Sequence, residues 1–187
     1  MATPPGRRLV GAVLASVLTL VTGCAGAEDA GETDRAETPP QRFTIAPDDY
    51  HVPYAGTAQD GRRFFLSDEL FDAEGNGGEP TSYVGLFLWN PDGTFDEVRV
   101  DAVDRPEGLP PGQAGSADAA DLVATRLREL GTYELGAITV EPFTTSVDGV
   151  EFGWEVSRYD DGTYAVGVRP GDFIVYYAPW DGEEYDT

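Results

Sequence analysis

Apolar and polar residues follow two different periods along this chain, and the change between them predicts the elements. Tyr83 to Trp89 (YVGLFLW) is almost continuously apolar, the pattern of a strand covered on both faces. Asn90-Pro91-Asp92-Gly93 then turns the chain, and the alternation after it places Val98, Val100 and Ala102 inward and Glu97, Arg99 and Asp101 toward water. A weaker strand covers Arg62 to Leu66, entered through Asp60-Gly61. Ala137 to Val147 leads into Asp148-Gly149, a strong hairpin dipeptide, after which Val150, Phe152, Trp154 and Val156 share a face. Asp160-Asp161-Gly162 turns the chain into Tyr164, Val166 and Val168, and Pro170-Gly171-Asp172 turns it again into Phe173 to Tyr177.

One segment switches to helical spacing. Ala119, Leu122, Val123, Leu127 and Leu130 form a stripe, Ser116 or Asp118 caps its start, Arg126 and Arg128 suit its negative end, and Gly131 stops it. Asp104 to Gly115 reads as a long loop before it. The expected fold is α+β: a two-layer arrangement of a mostly antiparallel β-meander sheet with one main helix packed on one face.

The N-terminus follows neither period. Arg7 and Arg8 precede a thirteen-residue apolar run, Leu9 to Val21, which is shorter than the ~20 residues of a spanning helix and matches the apolar core of an export signal. It ends in Val21-Thr22-Gly23-Cys24, which resembles the lipobox of bacterial lipoproteins. That resemblance implies removal of residues 1–23, acylation of the Cys24 thiol, and anchoring in the lipid bilayer at the outer face of the cell membrane. Two acyl signals hold stably where one would not. Leu9-Val10-Gly11 fits the twin-arginine consensus poorly, so Sec-type export is expected. Residues 24–42 are then the lipidated cysteine and an acidic, Pro/Gly-containing tether. Without aromatic or branched aliphatic residues over 25–42, it cannot bury enough to fold, and its random-coil reach is roughly 23 Å. Residues 43–187 form a single domain.

Composition narrows the chemistry. The 34 acids outnumber 12 bases, all of them arginine, for a formal net charge of -22. This excludes a nucleic-acid partner, which needs a basic patch, and loss of Arg7 and Arg8 with the signal deepens the excess. Without lysine there is no Schiff-base or P-loop chemistry; with one Cys and one His there is no thiolate cluster, internal disulfide or two-histidine metal site. No catalytic set emerges. His51 is the only imidazole, and none of Ser67, Ser82, Ser116, Ser146 or Ser157 lies in a nucleophile elbow. Asp72 to Gly77 begins like a calcium loop, but its twelfth position is Tyr83, where a bidentate carboxylate is required. Asp96/Glu97, Asp160/Asp161 and Glu183/Glu184 are neighbours along strands or turns, so they are expected to point apart and not to converge as hydrolase pairs do. No cofactor or metal is expected.

The tail Ala178-Pro179-Trp180-Asp181-Gly182-Glu183-Glu184-Tyr185-Asp186-Thr187 is the most distinctive stretch. Trp180, Asp181, Glu183, Tyr185 and Asp186 are candidate contacts for a basic protein or cationic ligand, since aromatics among acids attract cations; the competing expectation is that Trp180 and Tyr185 fold back to cover the sheet. Asp60-Gly61-Arg62-Arg63-Phe64-Phe65, the Tyr83–Trp89 strand with its Asn90-Pro91-Asp92-Gly93 turn, Ile138 to Phe143, Val147 to Gly153 and this tail together resemble a family of small proteins of Streptomyces and relatives known as "formate hydrogenlyase regulatory protein". That resemblance covers most of Phe43 to Thr187 and brings no catalytic residue with it. Its members are mostly cytosolic and end one residue shorter than the Glu183-Glu184 spacing here, and an outward-facing domain cannot touch cytosolic transcription. The all-arginine basicity fits a high-GC actinobacterium, with a haloarchaeon the alternative. The leading expectation is a membrane-anchored extracytoplasmic lipoprotein with a small, non-catalytic binding domain. An immunity or inhibitor protein against a basic toxin or secreted enzyme comes second, and a carboxylate-based cell-envelope hydrolase third.

Overall fold

The alternation in the most apolar strand sorts its side chains between two cores. In the computed structural model, which describes residues 38–73, 80–103 and 117–182, Val84, Leu86 and Leu88 face one cluster while Tyr83, Phe87 and Trp89 face another. The signal segment, Cys24, most of the tether, residues 74–79 of the calcium-like loop, and the 104–116 loop with Ser116 lie outside the described residues.

The elements run β1 (Phe43–Ile45), β2 (Tyr54–Ala58), β3 (Arg63–Asp72), β4 (Thr81–Trp89), β5 (Phe95–Val103), α1 (Ala117–Glu129) and β6 (Tyr133–Leu135). They continue as β7 (Ile138–Val140), β8 (Thr144–Val147), β9 (Val150–Arg158), β10 (Tyr164–Arg169) and β11 (Val175–Tyr176). The fold is α+β with antiparallel sheets and one helix, as the patterning predicts. The strands do not form one meander, however. They divide into a five-stranded sheet (β5-β4-β3-β2-β6), a four-stranded sheet (β11-β10-β9-β8) and a pair (β1-β7). α1 covers one face of the five-stranded sheet through Ala119 and Val123, with Leu130 directly after it in the same cluster. The other face, through Phe65, Phe87 and Trp89, meets Phe152, Trp154 and Val166 of the four-stranded sheet, and Phe43, Ile45, Ile138 and Val140 of the pair join the same core. Three layers therefore replace the expected two, because both faces of β3 and β4 are apolar and each needs a cover.

Three further boundaries differ from the patterning. Ala137 to Val147 is two strands, because Pro142 lacks the N–H a continuous ladder needs; β7 pairs with β1 and β8 with β9. The Phe173–Tyr177 strand shrinks to the two residues that pair with Val166 and Gly167. The Arg62–Leu66 strand is instead ten residues long and runs on through a bulge.

β5 is an edge strand with one apolar and one charged face. Val98 and Val100 pack on the sandwich core. Glu97, Arg99 and Asp101 belong to a chain of ion pairs: Arg62 holds Asp60 at 2.7 Å and Glu97 at 2.9 Å, Arg99 holds Glu97 and Glu129, and Arg126 of α1 holds Asp101 at 2.6 Å and Glu129 at 3.1 Å. Charge along an edge discourages strand addition, and here it also fixes the helix to the sheet. Asp96 and Glu97 do converge, contrary to expectation, since the Arg62 guanidinium meets both. The register shift between Leu88 and Trp89 breaks the alternation at that point.

Candidate functional site

The bulge in β3 is where polar chemistry enters the sandwich. Ser67 pairs with Gly85 and Leu70 with Tyr83, so Asp68 and Glu69 together oppose the single residue Val84. Two successive carboxylates are thereby set into a strand whose neighbours Leu66, Ser67 and Leu70 are buried. The Glu69 N–H donates to Ser67 Oγ at 3.1 Å, and Glu69 Oε2 lies 2.6 Å from Nδ1 of His51. His51 is positioned by its own loop: Asp48 Oδ1 accepts the N–H groups of Tyr50, His51 and Val52 at 2.7, 2.8 and 3.0 Å. Its ring lies 4.0 Å from that of Tyr50 and 5.7 Å from Phe173. The imidazole is thus tied to a carboxylate 18 residues away in sequence.

Burial pushes the Asp68 carboxyl above its ordinary value, and it pushes Glu69 up despite the bond from His51. An acid whose folded value is raised subtracts from stability while it is ionised, and the penalty is relieved as pH falls through that value. Asp68→Asn should therefore raise the melting temperature at pH 7, with the gain shrinking as the pH is lowered toward 4. The ion-pair chain titrates in the opposite sense. Hydrogen bonding from Arg99 holds Glu97 below its usual range, so acid weakens that contact while relieving Asp68. Melting curves of both proteins from pH 4 to 7 check this; a lower melting temperature for Asp68→Asn at pH 7 would refute it.

Beyond the bulge, the end of β3 opens onto a cavity of about 700 Å³. Asp72 of β3, Glu151 and Glu155 of β9, and Arg169 and Asp172 at the β10–β11 turn give it its charge. Gly171 shapes that turn: at φ 114° it takes a conformation side chains avoid, beside the backbone of Phe71. Arg169 is the only base among the described lining residues. Its Nε donates to Glu155 Oε2 at 2.7 Å, and it also bridges Asp172. Burial works against its charge, yet those two carboxylates hold it more firmly protonated than usual. Among the described lining residues, then, the one cation is already neutralised and acids are in surplus.

The sequence-predicted tail contacts fare differently. Trp180 is partly buried and packs on the sandwich core, its carbonyl accepting the Thr44 N–H at 3.0 Å and its N–H donating to Tyr177 O at 3.0 Å. For Trp180 this is the fold-back arrangement, and it places the residue beside β1 and not in the cavity. Asp181 is exposed. Glu183, Tyr185 and Asp186 lie outside the described residues, as does Cys24.

Sequence reasoning missed the His51–Glu69 link and the Arg169 clasp. The one local signal was Ser67-Asp68-Glu69-Leu70, a polar interruption in an apolar run. Among the described residues no group of three or more His, Cys, Asp or Glu is placed to hold a metal ion, and no helix is long and apolar enough to cross a membrane. Comparison with protein-family models, with curated proteins and with solved structures gives no match to the chain.

Proposed function

We propose that this chain is a lipid-anchored extracytoplasmic binding protein. Acylated Cys24 holds it at the outer face of the cell membrane, the acidic tether keeps the domain clear of anionic headgroups, and the domain binds a cationic ligand or basic protein without turning it over. The observation that carries the reading is the cavity at the end of β3, where acids from three parts of the fold surround one already neutralised arginine. A net charge of -22 supports it further, because a field of one sign steers oppositely charged partners. An immunity or inhibitor protein is the form this takes if the occupant is a basic toxin or secreted enzyme.

Two measurements test the halves separately. Metabolic labelling with a palmitate analogue should mark the wild-type chain and not Cys24→Ala; equal labelling would sink the anchor. Titration of the purified full chain with a ten-residue lysine peptide should give an affinity that falls as salt rises. Glu151→Lys should weaken it about fivefold, the effect of one added repulsion of ~1 kcal/mol. Binding indifferent to both salt and Glu151→Lys would overturn the cavity reading.

A further inference from the structure

Tyr159 follows β9 and Tyr177 follows β11, the two strands that flank β10. Val166 of β10 pairs with Val156 on one side and Tyr176 on the other, and Val166 and Tyr176 are buried in the core. Alternation therefore turns Tyr177 to the outer face of the four-stranded sheet. There its ring meets that of Tyr159, with 22° between planes, centroids 6.1 Å apart and hydroxyls 3.0 Å apart. The residue of β10 next to Val166 is Ala165, small and buried, so no larger side chain of that position separates the rings.

This pair is not core packing. Tyr159 is 45% exposed, and the two rings line a cavity of about 370 Å³ together with Asp160 and Asp161. The turn carrying the acids is fixed. The Tyr159 N–H donates to Thr163 O at 2.8 Å, Gly162 N–H donates to Tyr159 O at 2.9 Å, and Asp161 Oδ1 accepts both the N–H and the hydroxyl of Thr163. Aromatic faces, adjacent carboxylates and partial shelter from water are the elements that recognise an organic cation. A guanidinium suits them better than an ammonium, because it is planar, stacks on rings and gives up its water more readily. The same hairpin already makes one such contact, the Arg158 guanidinium lying 5.9 Å from the centre of the Tyr164 ring.

The geometry points to an arginine subsite: Tyr159 and Tyr177, backed by Asp160 and Asp161, take the guanidinium of an arginine presented by a basic polypeptide. This rests on the proposed function, in that the partner is basic, and adds which basic side chain it offers and where. The acid-lined cavity attracts ammonium and guanidinium groups alike; the tyrosine pair discriminates between them.

The test compares ten-residue arginine and lysine peptides of equal charge, titrated into the full chain at fixed salt. The arginine peptide should bind about fivefold more tightly, the preference expected from one partly exposed cation–π contact. Tyr159→Ala and Tyr177→Ala should each abolish that preference while leaving the lysine peptide's affinity unchanged. Tyr159→Phe, which keeps the ring and loses the hydroxyl bond, should retain it, and this variant keeps the test valid if an alanine variant fails to fold. If both peptides bind equally and the tyrosines are indifferent, the subsite is overturned and the acidic reading stands. If neither peptide binds, the proposed function falls, and the subsite with it.

Discussion

Trp89→Ala should destabilise the domain by about 4 kcal/mol, a large share of the ~5–15 kcal/mol that holds most domains folded. Trp89 ends β4, is fully buried, and sets its ring edge-on to Phe143 at 5.5 Å. Its Nε1–H donates to the Glu141 carbonyl at 3.0 Å, so one side chain both fills the sandwich core and ties down the segment between β7 and β8. Alanine removes the indole volume from a close-packed site and strips a carbonyl of its donor in the same step. Trp89→Phe separates the two effects. It keeps an aromatic ring in the core and loses the hydrogen bond, and it should cost about 1–2 kcal/mol. Urea unfolding of the three proteins supplies the comparison. A loss below about 1 kcal/mol for Trp89→Ala would mean that the sheets are held elsewhere.

Where sequence patterning succeeds here, burial follows a strict period. Val84, Leu86 and Leu88 against Tyr83, Phe87 and Trp89 is a period-two split of one apolar run, and the run itself announces that both faces are covered. Of the helix stripe, Ala119, Val123 and Leu130 are buried, while Leu122 and Leu127 are partly buried against the same cluster. What the run cannot announce is the identity of the second cover. Whether β4 carries helices on both faces or a helix and a sheet depends on where β8 to β11 dock, and docking is decided by contacts distant in sequence. Short strands escape for a related reason. β1, β2 and β6 hold three to five residues each, too few to show a period, and Gly56 in β2 is there because the Glu134 backbone crosses it closely.

The candidate site was hidden by irregularity. A bulge exists only relative to a partner strand, so Asp68 and Glu69 read alone as a polar break. His51 has no partner near it in sequence because Glu69 lies 18 residues on, and the Arg169 clasp joins Glu155, 14 residues back in another strand, to Asp172 across the turn. Charge excess was legible as a total but not as a distribution. Arg42, Arg62, Arg99, Arg126 and Arg169 each hold at least one carboxylate, which concentrates the scarce cations into bridges between elements and leaves the remaining surface strongly acidic.

Gly153→Ala should cost at least as much as Trp89→Ala, although it adds only a methyl group. Gly153 lies within β9 at φ 141°, a backbone conformation that strains any side chain, and it pairs with Thr144 of β8 and Arg169 of β10. A Cβ built there would sit far inside contact with the Phe143 carbonyl oxygen and 2.9 Å from Thr144 Cα. These are backbone atoms and cannot rotate away. That carbonyl also accepts the Trp154 N–H at 2.6 Å, so moving it breaks the hydrogen bond joining the entry of β8 to β9. Backbone strain and forced overpacking together come to about 4 kcal/mol, with the lost hydrogen bond in addition. Gly167→Ala is the control, in the adjacent strand of the same sheet. The nearest atom to its added Cβ is the Asp172 carboxylate oxygen at 3.2 Å, the end of a side chain that can shift, so its cost should stay near 1 kcal/mol. Thermal and urea melts of the two variants should separate them widely. Equal losses would mean that glycine at 153 reflects only the weak strand propensity of the residue type, and that Phe143 is free to yield.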